Sequence, residues 1–276
     1  MPFTRRQFLG LVGLAGLSSC ARNPVARIKP HIPLMDDRPV AFAAINDTHV
    51  LDARSVAIVN RAVASINANP DVRFTVVLGD LATDGLLPEL QLAKASLARL
   101  EKPCFAVPGN HDVNAGAADI YGNYARTFGD SNWRQEEEGW VFIGLDTCNG
   151  TASDVTVPAE RVAWIEKRLR RIGEKRPIAL FTHHPFNPNT KAYRVANADD
   201  VLACFAGHNL RLVASGHYHG NQVEERDGVT FTTTACCSTT RDNFDGTKEK
   251  GYRLFRLDGE TLTHEFVPVQ ANGGMA

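Results

Sequence analysis

The chain has 276 residues, 43% hydrophobic and 22% charged, the balance of a globular protein with a core to bury rather than of a disordered or fibrous chain. Thirty Lys and Arg against 31 Asp and Glu leave a formal charge of −1, so no bulk positive field is present to hold nucleic acid or an anionic membrane. Nothing after residue 40 has the composition of a long Pro/Gly/Ser linker, which points to one domain there.

The first segment reads as an address and not as fold. Arg5-Arg6 precedes Phe8 to Leu17, an uncharged apolar stretch of ten residues, too short for a membrane-spanning helix of about 20. This pattern resembles a twin-arginine export signal, and Leu17-Ser18-Ser19-Cys20 resembles a bacterial lipobox, in which the cysteine is lipidated and becomes the first mature residue. The expected organisation is a signal peptide over 1–19, a tether over 20–39 containing Pro24, Pro30, Pro33 and Pro39, a domain over 40–270 and a tail over 271–276. Removing the signal leaves 28 basic and 31 acidic residues, so the membrane is a partner only through a lipid on Cys20. Export places the protein in the periplasm or cell envelope. A cleaved signal without lipid, or a buried first helix, is the alternative.

Lipidation of Cys20 leaves Cys104, Cys148, Cys204, Cys236 and Cys237, an odd set that excludes a complete disulfide framework. Cys104 and Cys204 lie in apolar runs and read as small buried hydrophobes. Cys236-Cys237 lacks a second pair at zinc spacing, which argues against a structural zinc; its disulfide status stays open.

From residue 40 onward, apolar runs alternate with segments of helical period, the pattern of an α/β fold. The runs Val40 to Ile45, Phe74 to Leu78, Cys104 to Val107, Val141 to Leu145, Ile178 to Phe181 and Leu210 to Ala214 predict buried strands. Steps of three and four predict amphipathic helices through Val56, Val59, Val63 and Ile66; through Leu90, Ala93, Leu97 and Leu100; and through Val162, Ile165, Leu169 and Ile172. The basic run Lys167 to Arg171 and the loop Glu136 to Glu138 read as solvated surface. Asp227-Gly228 and Asp258-Gly259 lie between alternating runs, which predicts two hairpins that complete a second sheet.

Five of the six apolar runs end in a polar cluster: Asp47-Thr48-His49, Gly79-Asp80, Gly109-Asn110-His111-Asp112, His183-His184-Pro185 and Gly216-His217-Tyr218-His219. Functional groups of open α/β sheets gather at the carboxyl ends of strands, so the clusters are expected to converge. Asp47, His49, Asp80, Asn110, His183, His217 and His219 form an oxygen and nitrogen donor set without thiolate, suited to zinc, manganese, iron or cobalt and too large for one ion. If extended geometry persists, the two-residue spacings of Asp47 with His49 and of His217 with His219 turn each pair the same way.

This ordered set resembles the calcineurin-like metallophosphoesterase superfamily over roughly residues 40 to 235. Gly144-Leu145-Asp146-Thr147, the Trp164 helix and the His-His-Pro strand are most similar to its class III cyclic nucleotide phosphodiesterase branch. The resemblance implies an α/β, four-layer α-β-β-α sandwich with two mixed sheets and two divalent transition-metal ions at one edge. It further implies that Asp47, His49 and His219 bind the first metal, that Asn110, His183 and His217 bind the second, and that Asp80 bridges them. His111 would stand beside the substrate phosphate and protonate the leaving group, while Asp112 and His184 would orient ligands or face the substrate. One departure is Phe186, where relatives commonly carry a second proline. His31, His208 and His264 read as structural or solvated.

The implied activity is hydrolysis of a small phosphoester by a hydroxide shared between two metals. By formal count, two divalent ions, Asp47, Asp80 and hydroxide leave about +1, which a diester monoanion neutralises and a monoester dianion overshoots. The expectation is therefore an exported phosphodiesterase, with cyclic nucleotides among the candidate substrates. A phosphomonoesterase or nucleotidase is the alternative, with Arg241 as the added cation. A non-catalytic scaffold of the same fold, as in the retromer subunit, is a third reading, against which every expected ligand position is filled. The natural substrate and oligomeric state are not encoded in any motif.

Overall fold

The computed structural model describes residues 40–187, 189–190 and 192–270. The expected signal peptide and tether over 1–39, with Cys20, and the expected tail over 271–276 lie outside the described residues. In chain order the elements are β1 (Val40–Ile45), α1 (Val56–Asn67), β2 (Val72–Leu78), α2 (Leu87–Leu97), β3 (Cys104–Val107), a 3-10 turn (Asn110–Asp112), α3 (Gly122–Phe128), β4 (Trp133–Glu137) and β5 (Trp140–Gly144). They continue with α4 (Ala159–Leu169), β6 (Pro177–Thr182), α5 (Ala198–Ala203), β7 (Asn209–Ser215), β8 (Gln222–Arg226), β9 (Val229–Thr233), β10 (Lys250–Asp258) and β11 (Thr261–Val269).

Strand alternation builds the layers. Along β1 every residue is buried, but Ala41, Ala43 and Ile45 pack against α1 and α2, whereas Phe42 and Ala44 face the other sheet, as a two-residue period requires. The first sheet runs β11-β10-β1-β2-β3 and the second β4-β5-β6-β7-β9-β8, with α4 and α5 on the outer face of the second. The result is the four-layer α-β-β-α sandwich with two mixed sheets. At its centre Phe42 stacks on Phe74 at 5.0 Å and on Phe255 at 4.8 Å, and meets Phe142 and Phe181 edge-on at 5.6 Å. Aromatic side chains of this kind bury on the order of 150–250 Å² each.

Three expectations are corrected. The two hairpins part company: β8-β9 joins the second sheet through a parallel β7-β9 pairing, while β10-β11 returns to the first sheet beside β1. Glu136 and Glu137 are not in a loop but in β4, an antiparallel edge strand whose Trp133 ring fills the space above Gly144. Cys104 is exposed and Cys204 half-buried, because Cys104 opens the edge strand β3 and Cys204 caps the short α5.

Candidate metal centre

The polar clusters meet at one edge of the sandwich. The first sheet contributes Asp47 and His49 after β1, Asp80 after β2, and Asn110 and His111 in the turn after β3; the second contributes His183 and His184 after β6 and His217 and His219 after β7. Backbone bonds join neighbouring loops: Asp47 N–H to the Gly79 carbonyl at 3.0 Å, His49 N–H to Asp80 at 2.9 Å and Gly216 N–H to His183 at 3.0 Å.

Extended geometry does not persist to the Asp-x-His and His-x-His pairs. Strands β1 and β7 stop at Ile45 and Ser215, and Asp47, His49, Asp80, His217 and His219 stand at φ of 51°, 42°, 51°, 65° and 48°. A left-handed residue with a Cβ costs roughly 1–2 kcal/mol, so tertiary contacts must impose these turns. Gly79, at φ 86°, and Gly109 permit the close approach. A Cβ on Gly79 would lie 2.5 Å from His183 Nδ1, and one on Gly109 would overlap the Asp80 carboxylate.

Asp80 stands between two donor groups. Its Oδ2 lies 3.4 Å from His49 Nε2 and its Oδ1 3.3 Å from His183 Nε2. On the first side, His219 Nε2 lies 3.3 Å from both Asp47 Oδ1 and His49 Nε2. On the second, Asn110 Oδ1 lies 3.1 Å from His183 Nε2. Asp47 also accepts the His217 N–H, at 2.9 Å on Oδ2, and a bond from the Asn46 amide.

The protons on these rings test whether cations fit. His183 Nδ1 faces the Leu78 carbonyl at 2.8 Å, His219 Nδ1 the Asp242 carbonyl at 3.0 Å and His217 Nε2 the Ser153 carbonyl at 2.9 Å. A carbonyl only accepts, so each of those nitrogens carries a hydrogen, and in the neutral ring the other nitrogen presents a lone pair. Around His183 and His219 these lone pairs meet carboxylate, amide and imidazole acceptors, a convergence suited to a cation. The backbone carbonyls orient the rings as partners of ligating histidines do.

The ionisation pattern agrees. Burial pushes His49, His183 and His217 down to about 2, 3 and 4, so all three are neutral donors at physiological pH. Burial would raise Asp47, but the charge of His219 and the bond to it outweigh that and hold Asp47 below the usual carboxylate range. Burial would likewise lower His219, yet Asp47 raises it to about 11. Burial, then the Asp47 charge, raises Asp80 well above its ordinary value. The opposite shifts of Asp47 and Asp80, and the rise of His219, mark a crowding of buried negative charge that divalent cations would neutralise.

The remaining candidates occupy distinct places. The donor atoms of Asp47, His49, Asp80 and His219, and those of His183, His184 and His217, each lie within 4.8 Å of one another. Both nitrogens of His184 are nevertheless engaged, Nδ1 with Thr147 Oγ1 at 2.9 Å and Nε2 with the Ala152 carbonyl at 3.2 Å. Asp112 is buried and accepts the N–H groups of Ala82 and Gly109 at 2.9 and 2.8 Å, tying the second and third loops together. His111 gives its backbone N–H to Asp80 Oδ1 at 2.9 Å and its Nδ1 to the Thr83 carbonyl at 2.7 Å, leaving Nε2 for the groove it lines with Asp84, Asn114 and Thr151. Arg241 is half-buried on a loop bonded to the His49 carbonyl through Thr240 Oγ1 at 3.2 Å, and its charge contributes to lowering His49. Among the described residues neither Cys236 nor Cys237 joins a metal-competent cluster.

Three residues at the centre carry no sequence signal of their own except position. Asn46 adjoins the Asp-x-His motif, whereas Tyr193 and Phe244 are loop aromatics that meet His217 and His219.

Residues 40–221 match the family described as calcineurin-like phosphoesterase. A Rhodopseudomonas palustris protein named "Probable cyclic nucleotide phosphodiesterase" is 32% identical over 205 residues, 65% of this chain and 74% of its own. The glycerophosphodiester phosphodiesterase GpdQ of Enterobacter lignolyticus is 28% identical, over 61% of this chain and 63% of its own. In fold, the chain is similar to a purple acid phosphatase from yellow lupin seeds, with a TM-score of 0.64 at 11% identity over 84% of this chain and 52% of that one.

Proposed function

We propose that this chain, which belongs to the calcineurin-like phosphoesterase family and is therefore a metal-dependent phosphoric ester hydrolase, cleaves phosphodiesters at a centre of two divalent cations. One observation carries the proposal: Asp80 turns one carboxylate oxygen toward His49 and the other toward His183. Asp47, His49 and His219 would hold one cation, Asn110, His183 and His217 the other, and Asp80 both. Zinc, manganese, iron and cobalt all suit these donors. Bound there, two divalent cations lower the pKa of a water and clamp the oxygens of an in-line displacement at phosphorus.

The chain's own residues supply the rest. His111 is fixed through Nδ1–H by the Thr83 carbonyl, so Nε2 faces the groove, where the imidazolium form would carry on it the proton for the departing ester oxygen. His184 and Asp112 keep the ligand loops in register. Relatives named for cyclic nucleotide and glycerophosphodiester substrates support a diester, as does the small positive charge of the filled centre. The second reading, a monoester, is favoured by Arg241 beside the His49 loop; Arg241→Ala would then slow a monoester and spare a diester.

The proton role is tested by His111→Ala on matched alkyl and aryl esters at equal metal occupancy. General acid catalysis contributes roughly 10²–10⁴-fold, and an alkoxide needs the proton that a nitrophenolate does without. Loss on the alkyl ester alone is expected; equal slowing of both would reduce His111 to a hydrogen bond on the phosphoryl oxygens. The export and lipid proposal rests on Arg5-Arg6 and Leu17 to Cys20. Replacing both arginines with lysine should block export, and Cys20→Ala should abolish lipid attachment. Native cytoplasmic accumulation with an intact N-terminus would sink it.

A further inference from the structure

Five large hydrophobic side chains are exposed among the described residues, and four of them, Leu51, Leu86, Tyr193 and Phe244, stand on loops around the candidate centre. Single exposed apolar residues are ordinary, but contiguous ones mark a binding surface. Phe244 is 53% exposed and Tyr193 39%, yet the two stack on each other at 5.6 Å. Phe244 lies flat on the His219 ring at 4.9 Å and 6°, and Tyr193 meets the His217 ring edge-on at 5.7 Å and 88°. The pair therefore stands directly beside the atoms that would hold the cations.

Both rings are held in place. The Phe244 N–H bonds the His219 carbonyl at 3.1 Å, and buried Asn243 anchors the same loop by accepting the Cys236 N–H at 3.2 Å and donating to the Glu249 carbonyl at 2.8 Å. Tyr193 adopts φ 58°, uncommon for a bulky side chain. The residues after it are fixed, Arg194 N–H by Asp154 at 3.1 Å and Val195 N–H by the Pro185 carbonyl at 3.0 Å. Tyr193 is thus kept in a costly conformation with its ring partly in water, which is how strain is found at sites that bind a ligand.

We propose that Phe244 and Tyr193 form a stacking wall for the ester arm that the phosphoryl group keeps, and that this arm carries a planar aromatic ring. The inference rests on the phosphodiesterase reading. A diester has two arms, and the two sides of the site differ in chemistry. His111 lines a groove with Asp84, Asn114 and Thr151 beside Leu86, Val113 and Ala115; apart from the His111 imidazole it holds no aromatic ring, and His111 suits it to the arm that departs with a proton. The aromatic wall on the His217–His219 side suits the arm that remains.

Methyl 4-nitrophenyl phosphate and phenyl 4-nitrophenyl phosphate test this, because they share a leaving group and differ only in the retained arm. With the metal-loaded enzyme the phenyl ester should be preferred through KM. Phe244→Ala should lower its kcat/KM by roughly 3- to 10-fold, the span of an aromatic stacking contact. The same variant should hold the methyl ester within about 2-fold, at unchanged metal content. Phe244→Leu, which keeps apolar bulk without a ring, should lose most of the phenyl preference, and Tyr193→Ala part of it. Equal losses on both esters would mean that Phe244 only packs His219, and unchanged rates on both would remove the wall from the substrate; either overturns the proposal. A wild-type protein that holds its metals yet cleaves neither ester would overturn the phosphodiesterase reading, and this inference with it.

Discussion

The core between the sheets and the cluster at their edge are built by the same strand ends, yet they obey opposite rules. Within β1, Phe42 and Ala44 fill the inter-sheet space in regular extended geometry. A few residues later the same chain turns left-handed at Asp47 and His49 and buries a carboxylate and an imidazole. In the core, pattern, propensity and burial point to one answer. In the cluster, backbone preference, desolvation and lone-pair repulsion all oppose the arrangement, which persists because the sheets hold it. Stability and chemistry are therefore separable, and variants should separate them.

The largest effect is expected from Asp80→Asn, which removes the shared charge but keeps an acceptor for the His111 N–H. Diester turnover should fall by more than ~100-fold, beyond the 10–100-fold typical of residues that only orient ligands, and both metals should weaken. The metal-free variant should melt no lower than metal-free wild type, since burial already pushes the Asp80 pKa upward. A collapse of the metal-free fold would break the separation.

Phe42→Ala should do the reverse. Truncating a fully buried phenylalanine costs about 3–5 kcal/mol, so denaturant melts should shift strongly while turnover per folded molecule stays near wild type. Asp112→Ala crosses the boundary, because it leaves the N–H groups of Ala82 and Gly109 without their acceptor. It should cost about 1–3 kcal/mol and weaken metal binding measurably by titration. A stable variant with native affinity would show that Asp112 braces neither region. The mildest probe is thiol labelling: Cys104 sits on an accessible edge, but burial of its thiol pushes it up to about 12, so it should label slowly in the native state, while buried Cys236 and Cys237 should wait for unfolding.

The same contrast explains what the sequence reveals. Unbroken apolar runs announce β1, β2, β6 and β7, and the polar residues that end each run announce the donor set. The turns that aim those donors are not announced, because Asp47, His49, His217 and His219 carry no mark of a positive φ. Strand β4 is hidden because its wet edge alternates charge with Trp133 and reads as a loop. An Asp-Gly pair specifies a hairpin but not its sheet, so β10-β11 could be foreseen as a hairpin and not as the neighbour of β1. Tyr193 and Phe244 lie in irregular loops, where only the tertiary fold brings them to His217 and His219.

The most direct test of the dinuclear reading is a metal titration of chelator-stripped protein, following bound manganese or zinc and diester hydrolysis together. Activity should rise from baseline as two cations per chain are taken up, and Asp80→Asn should lower the affinity of both. Full hydrolysis by the stripped protein, or saturation of activity at one cation per chain with Asp80→Asn unaffected, would contradict that reading.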